Sequence, residues 1–283
     1  ANGDLSLALG ILCPISVANA LTQWGDATQQ SKYLPDFCGD RPPLATIAVN
    51  EPVPLFNPHQ LATRAVQRGN DWVLNGTKAL VPLANRSEIL LVAAQTAQGP
   101  AVFIVEGGTK GLSFVDDRGM GLRATGLCRV TLEDVVVPAG AKLGTADFDY
   151  RQFIDYGTIG WCALATGTAQ AALDYLVPYV NERVAFGEPI SHRQAVAFMI
   201  ANIGIELESM RLLTWRAASR AEQGLDFHRD AALARVLCAE RGMEIGTNAV
   251  QLLGGHGFTK EHPAERWYRD LRAVGIQYNG LHL

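Results

Sequence analysis

The spacing of apolar residues changes twice along this 283-residue chain, and that change constrains the fold more than any single motif. Val196, Met199, Ile203, Leu207, Met210 and Leu213 recur at steps of three and four, the stripe of one face of a long helix. Leu233, Leu237, Ile245 and Leu252-Leu253 predict a second long helix that ends at Gly254-Gly255. From about Phe153 the pattern stays helical to the end, and two long helices with narrow apolar faces imply a bundle. Between Leu44 and Pro138 the texture is different. Leu44–Val49, Ile89–Ala94, Ala101–Val105 and Val130–Val137 are short β-rich runs punctuated by Gly and Pro. Ala62–Arg68 and Asp71–Asn75 flank a Gly69-Asn70 turn, and Asn75-Gly76 is a second tight-turn signal. The region reads as an antiparallel all-β unit. Residues 1–40 read as helical, in pieces Leu5–Trp24 and Thr28–Phe37, with Asp26 as the N-cap of the second.

Composition narrows the function classes. The chain is 48% hydrophobic with a net charge of −4, which excludes disorder and gives no basic face for nucleic acid. Its best apolar run, Leu5–Ala20, is interrupted by Ser6, Pro14, Ser16 and Asn19 and falls short of the ~20 apolar residues of a membrane span. No basic segment with a cleavage site opens the chain as a secretory signal would. The five cysteines are widely spaced without a Cys-x-x-Cys pair, so no disulfide framework or zinc site is expected, and reduced thiols in a cytoplasm are. None of the six histidines is paired at metal-ligand spacing on one helical face.

There is no Gly-x-Gly-x-x-Gly after a strand, no Walker loop, no His-Glu-x-x-His and no Gly-x-Ser-x-Gly. Gly254-Gly255-His256-Gly257 reads either as a helix C-cap with a turn or as a loop open to a ligand. Five segments in order are more specific. They are Thr46–Pro52, Leu74-Asn75-Gly76-Thr77-Lys78 (read as a tight hairpin), Phe103–Glu106 followed by Gly111-Leu112-Ser113, Arg183-Val184-Ala185-Phe186-Gly187 preceding Gln194, and Gln251–Phe258 preceding Glu265–Asp270. Together with Leu132-Glu133-Asp134-Val135-Val136-Val137-Pro138, they resemble the acyl-CoA dehydrogenase family of flavoproteins over essentially the whole chain.

The resemblance implies an α+β architecture: the remainder of an N-terminal helical domain (1–42), a middle antiparallel β domain (43–145) and a C-terminal four-helix bundle (146–283). It also implies that the family's first helices and last helix lie outside this sequence.

The family reaction takes a proton from the carbon α to a thioester while a hydride passes from the β carbon to the flavin, with a Glu carboxylate as base. In most members that Glu lies in a Tyr-Glu-Gly-Thr segment. Here the segment reads Tyr278-Asn279-Gly280-Leu281, so Asn279 stands at the base position. The alternative position, near the start of the first bundle helix, is Gly157. Asp155 and Asp149 are the nearby acids, each read either as a relocated base or as a solvated helix-start carboxylate.

The loops that cradle the flavin within one subunit depart from the family: Val53-Pro54-Leu55-Phe56-Asn57 replaces a Gly- and Ser-rich run, with Phe56 at the Ser position. Pro82 stands where a Thr would bond the flavin ring. The residues that the family donates across a subunit interface are retained: Arg183, Phe186, Gln194, Gln251, Gly254 and Gly255. The resemblance therefore implies FAD shared across an interface and a paralogous partner subunit carrying the base. It also implies an acyl-CoA substrate, electron-transfer flavoprotein as acceptor and a bacterial cytoplasm. Heteromeric bacterial enzymes of this kind act on CoA thioesters of sterol side chains. The alternatives are an active homomer with a relocated base and a structural homo-oligomer without cofactor.

Overall fold

The structure is a computed structural model and describes residues 4–145 and 147–278. Its contacts divide the chain into two compact units. One holds Leu9–Gly119, Arg123–Gly157 and the residues from Gln277; the other holds Thr158–Ile276, Met120–Leu122 and the chain up to Ala8.

The first unit is a sheet with helices on one face. Helices α1 (Leu5–Trp24) and α2 (Ala27–Phe37) lead into β1 (Ala45–Ala48), β2 (Arg64–Arg68), β3 (Asp71–Pro82), β4 (Ile89–Thr96), β5 (Gly99–Glu106), β6 (Leu112–Asp116) and β7 (Leu127–Pro138). Asp26 caps α2 as expected: its carboxylate accepts from Gln29 N at 2.8 Å, and Gln29 reaches back to Asp26 N in a capping box. The strand order is β1-β4-β2-β3-β7-β6, with β5 also on β4. β1 runs parallel to β4, so the sheet is mixed rather than antiparallel as its sequence suggests. The reason is burial. On β4, Leu90, Val92 and Ala94 pack with Trp72 and Phe103 on one face, and Ile89, Leu91 and Ala93 pack with Val17, Leu21 and Phe153 on the other. Such a doubly buried strand reads as a continuous apolar run and carries no signal of its neighbours' direction.

The Gly69-Asn70 turn joins β2 to β3 as expected, with Arg68 opposite Asp71. The Asn75-Gly76 hairpin does not form. β3 runs straight through, with a bulge between Leu74 and Gly76. Gly76 has φ +150°, and a Cβ there would lie 2.6 Å from Thr63 Cα, so glycine is required by close approach. Asn75 instead bonds across the bulge: its Oδ1 accepts from Asp134 N at 2.8 Å, and its Nδ2 donates to Asp134 Oδ1 at 3.1 Å.

The second unit is helical. α3 (Tyr150–Glu182) enters it at Thr158 and is followed by the short hairpin β8 (Val184–Ala185) and β9 (Glu188–Pro189). Then come α4 (Gln194–Glu222), α5 (His228–Leu253) and α6 (Ala264–Val274). α4 buries Ile203, Leu207 and Met210, the centre of the expected stripe, together with Thr214 and Ala217 further along. On α5 the expected Ile245, Leu252 and Leu253 are buried, Leu237 is half-buried and Leu233 is exposed, and the rest of the buried face is made of small residues: Ala231, Ala234, Cys238, Gly242, Gly246 and Ala249. Small residues let α6 approach closely, and a Cβ on Gly246 would lie 2.9 Å from Tyr268 Cα.

α1 is long and apolar enough to cross a membrane by length and composition, contrary to the reading of its polar interruptions. Its Val17, Ala20 and Leu21 are packed in the core of the first unit.

Candidate functional site

Arg183 follows the last turn of α3 and opens the hairpin, where Ile190 N donates to Arg183 O at 2.9 Å. The two-residue loop is Phe186-Gly187, with φ of +56° and +88°. Positive φ at both positions is the signature of a type I′ turn. For a phenylalanine it costs on the order of 1–2 kcal/mol. Phe186 is nevertheless 95% exposed, with only the Arg193 guanidinium over its ring at 5.8 Å.

At the other wall α5 ends at Gly254, whose φ of +60° turns the chain out of the helix. Gly254 caps the helix as the sequence suggests, and it also lines an open pocket of about 300 Å³. Arg183, Gln251, Gly255, Tyr179 and His256 line the same pocket. The space beside Gly254 and Gly255 is empty to 4 Å, so a ligand can reach their backbone. Four of the six expected interface residues thus converge here. Phe186 stands on the hairpin outside this lining, and Gln194 is exposed at the start of α4, also outside it.

Neither base position offers a carboxylate. Asn279 lies outside the described residues. At Gly157 any side chain would collide with the Tyr278 ring. Asp149 is spent on the helix start, its Oδ1 accepting from Arg151 N at 2.9 Å and Gln152 N at 3.2 Å. Asp155 corrects an expectation: it is not a solvated helix-start group but is 6% exposed inside α3.

A polar centre that the sequence did not single out ties these segments together. Asn50 O accepts from Ala79 N at 2.9 Å, its Oδ1 accepts from Tyr278 N at 2.7 Å, and its Nδ2 donates to Gln277 Oε1 at 2.8 Å. Next to it, Glu51 receives Thr63 N at 2.9 Å, Ala62 N at 2.6 Å and the buried Lys78 ammonium at 2.8 Å. Burial pushes Lys78 down to about 8, against the upward pull of the Glu51 carboxylate. Burial pushes Glu51 up, but Lys78 and the Thr63 hydrogen bonds outweigh it and hold the carboxyl below its ordinary value. The only sequence signal was the presence of Glu51 and Lys78 in two of the quoted segments; Gln277 carried none.

The flavin-facing loops also differ in detail from expectation. Phe56, at the Ser position, is buried with Leu61 and Tyr150, and Leu55, at φ +52°, is the exposed residue. Pro82 is buried at the end of β3 between Leu80 and Leu83, both at positive φ. Among the described residues no cluster of three metal-ligating side chains exists, and all five cysteines are unbridged.

The chain thus combines helices, a mixed sheet carrying a buried Glu–Lys pair, and a helical unit with a glycine-lined pocket, the α+β class expected from its sequence. Two family models match in chain order: the acyl-CoA dehydrogenase middle domain over residues 46–135 and the acyl-CoA dehydrogenase C-terminal domain over residues 150–278. The short-chain specific acyl-CoA dehydrogenase of Bos taurus mitochondria is 36% identical over 282 residues, which is 94% of this chain and 68% of that protein. Butyryl-CoA dehydrogenase from Megasphaera elsdenii superposes with a TM-score of 0.88 at 29% identity, over 98% of this chain and 75% of that one. A steroid ACAD designated Tcur3481-Tcur3483 gives 0.87 at 28% identity, over 94% and 71%. The chain belongs to the acyl-CoA dehydrogenase family.

Members of the family generally bind FAD and act on acyl-CoA. One part of such a cofactor fits the residues described above. The Arg183 fork and the uncovered glycines suit a diphosphate. Pro82, in contrast, has neither hydroxyl nor N–H to offer a flavin ring.

Proposed function

We propose that this chain is a subunit of an FAD-dependent acyl-CoA dehydrogenase that lacks its own catalytic Glu and completes the flavin site of a paralogous partner. The observation that carries the reading is a contrast. Arg183, Gln251, Gly254 and Gly255 converge on one open pocket and Phe186 of the same hairpin faces outward, whereas Gly157 is closed by Tyr278 and Asn279 replaces the usual carboxylate. The designation of the similar steroid ACAD joins two names, which agrees with a two-chain enzyme. On α4, Phe198, Ile205, Leu212 and Trp215 form an exposed apolar stripe with sevenfold spacing from 198 to 212, a suitable face for another chain.

In this assembly FAD supplies the hydride acceptor. Arg183 binds its diphosphate, Gly254 and Gly255 admit the phosphates to the backbone, and Phe186 covers an aromatic face of the nucleotide. The acyl-CoA thioester is the substrate, its proton is taken by the partner's carboxylate, and electron-transfer flavoprotein accepts the electrons. The domain limits at 42/43 and 145/146, the six site residues and a bacterial cytoplasmic location belong to the same proposal.

The test is co-expression with the paralogue. A yellow complex with turnover is expected, from a chain that by itself binds little FAD; full FAD occupancy and turnover of the chain alone would sink the reading. The burial of Asp155 favours one second reading, an active homomer with Asp155 as base, since a general base is a carboxylate held away from bulk solvent. Unchanged turnover of Asp155→Asn removes it. A structural homo-oligomer without cofactor shows no absorbance near 450 nm with or without the partner.

A further inference from the structure

The diphosphate pocket contains a side chain that the family resemblance does not use. His256 lines the pocket with Arg183 and Gly255, and its ring stacks on that of His262 with centroids 5.4 Å apart and planes 21° apart. Both rings are held by tyrosines one turn apart on α3. Tyr175 Oη lies 2.6 Å from His262 Nδ1, and Tyr179 Oη lies 3.4 Å from His256 Nδ1. Tyr175 is fixed in turn by the Trp267 ring, edge-on at 5.6 Å. With Nδ1 engaged, Nε2 is the nitrogen of His256 left for a ligand.

We infer that His256 is a further diphosphate-binding residue, donating Nε2–H to the nucleotide that Arg183 receives, with His262, Tyr175 and Tyr179 as positioning residues. The inference rests on the pocket being the nucleotide half-site proposed above.

Glu261, on the loop before α6, lies near the same rings, and its carboxyl is held below its ordinary value first by the Thr259 hydroxyl and also by the two imidazoles.

The experiment uses the full chain with ADP as the probe, by calorimetry and by imidazole NMR. Wild type binds ADP, and His256→Asn binds it about tenfold more weakly at the same pH. Tyr179→Phe shifts the His256 ring resonances while Arg183 contacts persist. His256 is exposed, so the variant keeps the wild-type melting temperature; His256→Gln repeats the test. If His256→Asn keeps the wild-type affinity while Arg183→Gln loses ADP, His256 is overturned and the half-site stands. If wild type binds no ADP at millimolar concentration, the inference fails, and FAD content of the co-expressed complex then decides the half-site separately.

Discussion

The Tyr278 ring lies against the Cα of Gly157, so that no side chain fits at position 157 without moving it. The alternative base position of the family is thus filled by the residue that precedes the usual one. Gly157→Ala is expected to destabilise the chain by about 1–3 kcal/mol through overpacking. Tyr278→Ala removes the collision, so the double variant recovers part of that loss. A double-mutant cycle by denaturant unfolding measures the coupling; additive effects would show that the two residues do not touch.

The Glu51–Lys78 pair is fully buried at 2.8 Å. Lys78→Met leaves an unpaired buried carboxylate and should cost about 3–5 kcal/mol, whereas Glu51→Met with Lys78→Met should be milder than either alone. Chemical unfolding at neutral pH reads all three.

Glu51 also predicts an acid limb. Its folded-state carboxyl lies below the unfolded value, so its contribution is fully present above the unfolded carboxylate pKa, about 4.3. That contribution is lost as pH falls through the lower folded value. Melting temperature plotted against pH should therefore fall less steeply in acid for the double variant than for wild type.

Gly255 separates binding from stability. Open space surrounds it, so Gly255→Val should change stability by no more than ~0.5 kcal/mol, yet it fills the approach to the pocket. The co-expressed complex should then lose FAD, read as the ratio of absorbance at 450 and 280 nm. Arg183→Gln should weaken FAD retention about tenfold or more, the size of a charge-assisted bond.

The exposed stripe on α4 predicts assembly behaviour. Leu212→Lys with Trp215→Ala should leave helix content unchanged and shift the protein to a smaller species in light scattering, because both side chains already face solvent in the single chain.

Much of the fold was legible because periodicity reports burial locally. The α4 stripe, the Asp26 cap and the Gly69-Asn70 turn are each set by residues within one or two turns of one another. What failed was non-local. Asn75-Gly76 has the chemistry of a turn, but Thr63, brought alongside by β2, turns it into a bulge. Parallel pairing of β1 with β4 left no mark, since a strand buried on both faces looks the same beside either partner direction.

The site divides in the same way. The sequence by itself determined the chemistry present: an arginine fork, uncovered glycines, and Asn279 and Gly157 where a carboxylate would stand. Only the tertiary structure decided which of these meet. It brought Arg183 beside Gly254 across 71 positions of sequence, buried Asp155 and Phe56, and tied Asn50 to Gln277 and Tyr278. The physical reason is that hydrogen bonds and packing distances are set by where distant segments cross, which local pattern does not encode.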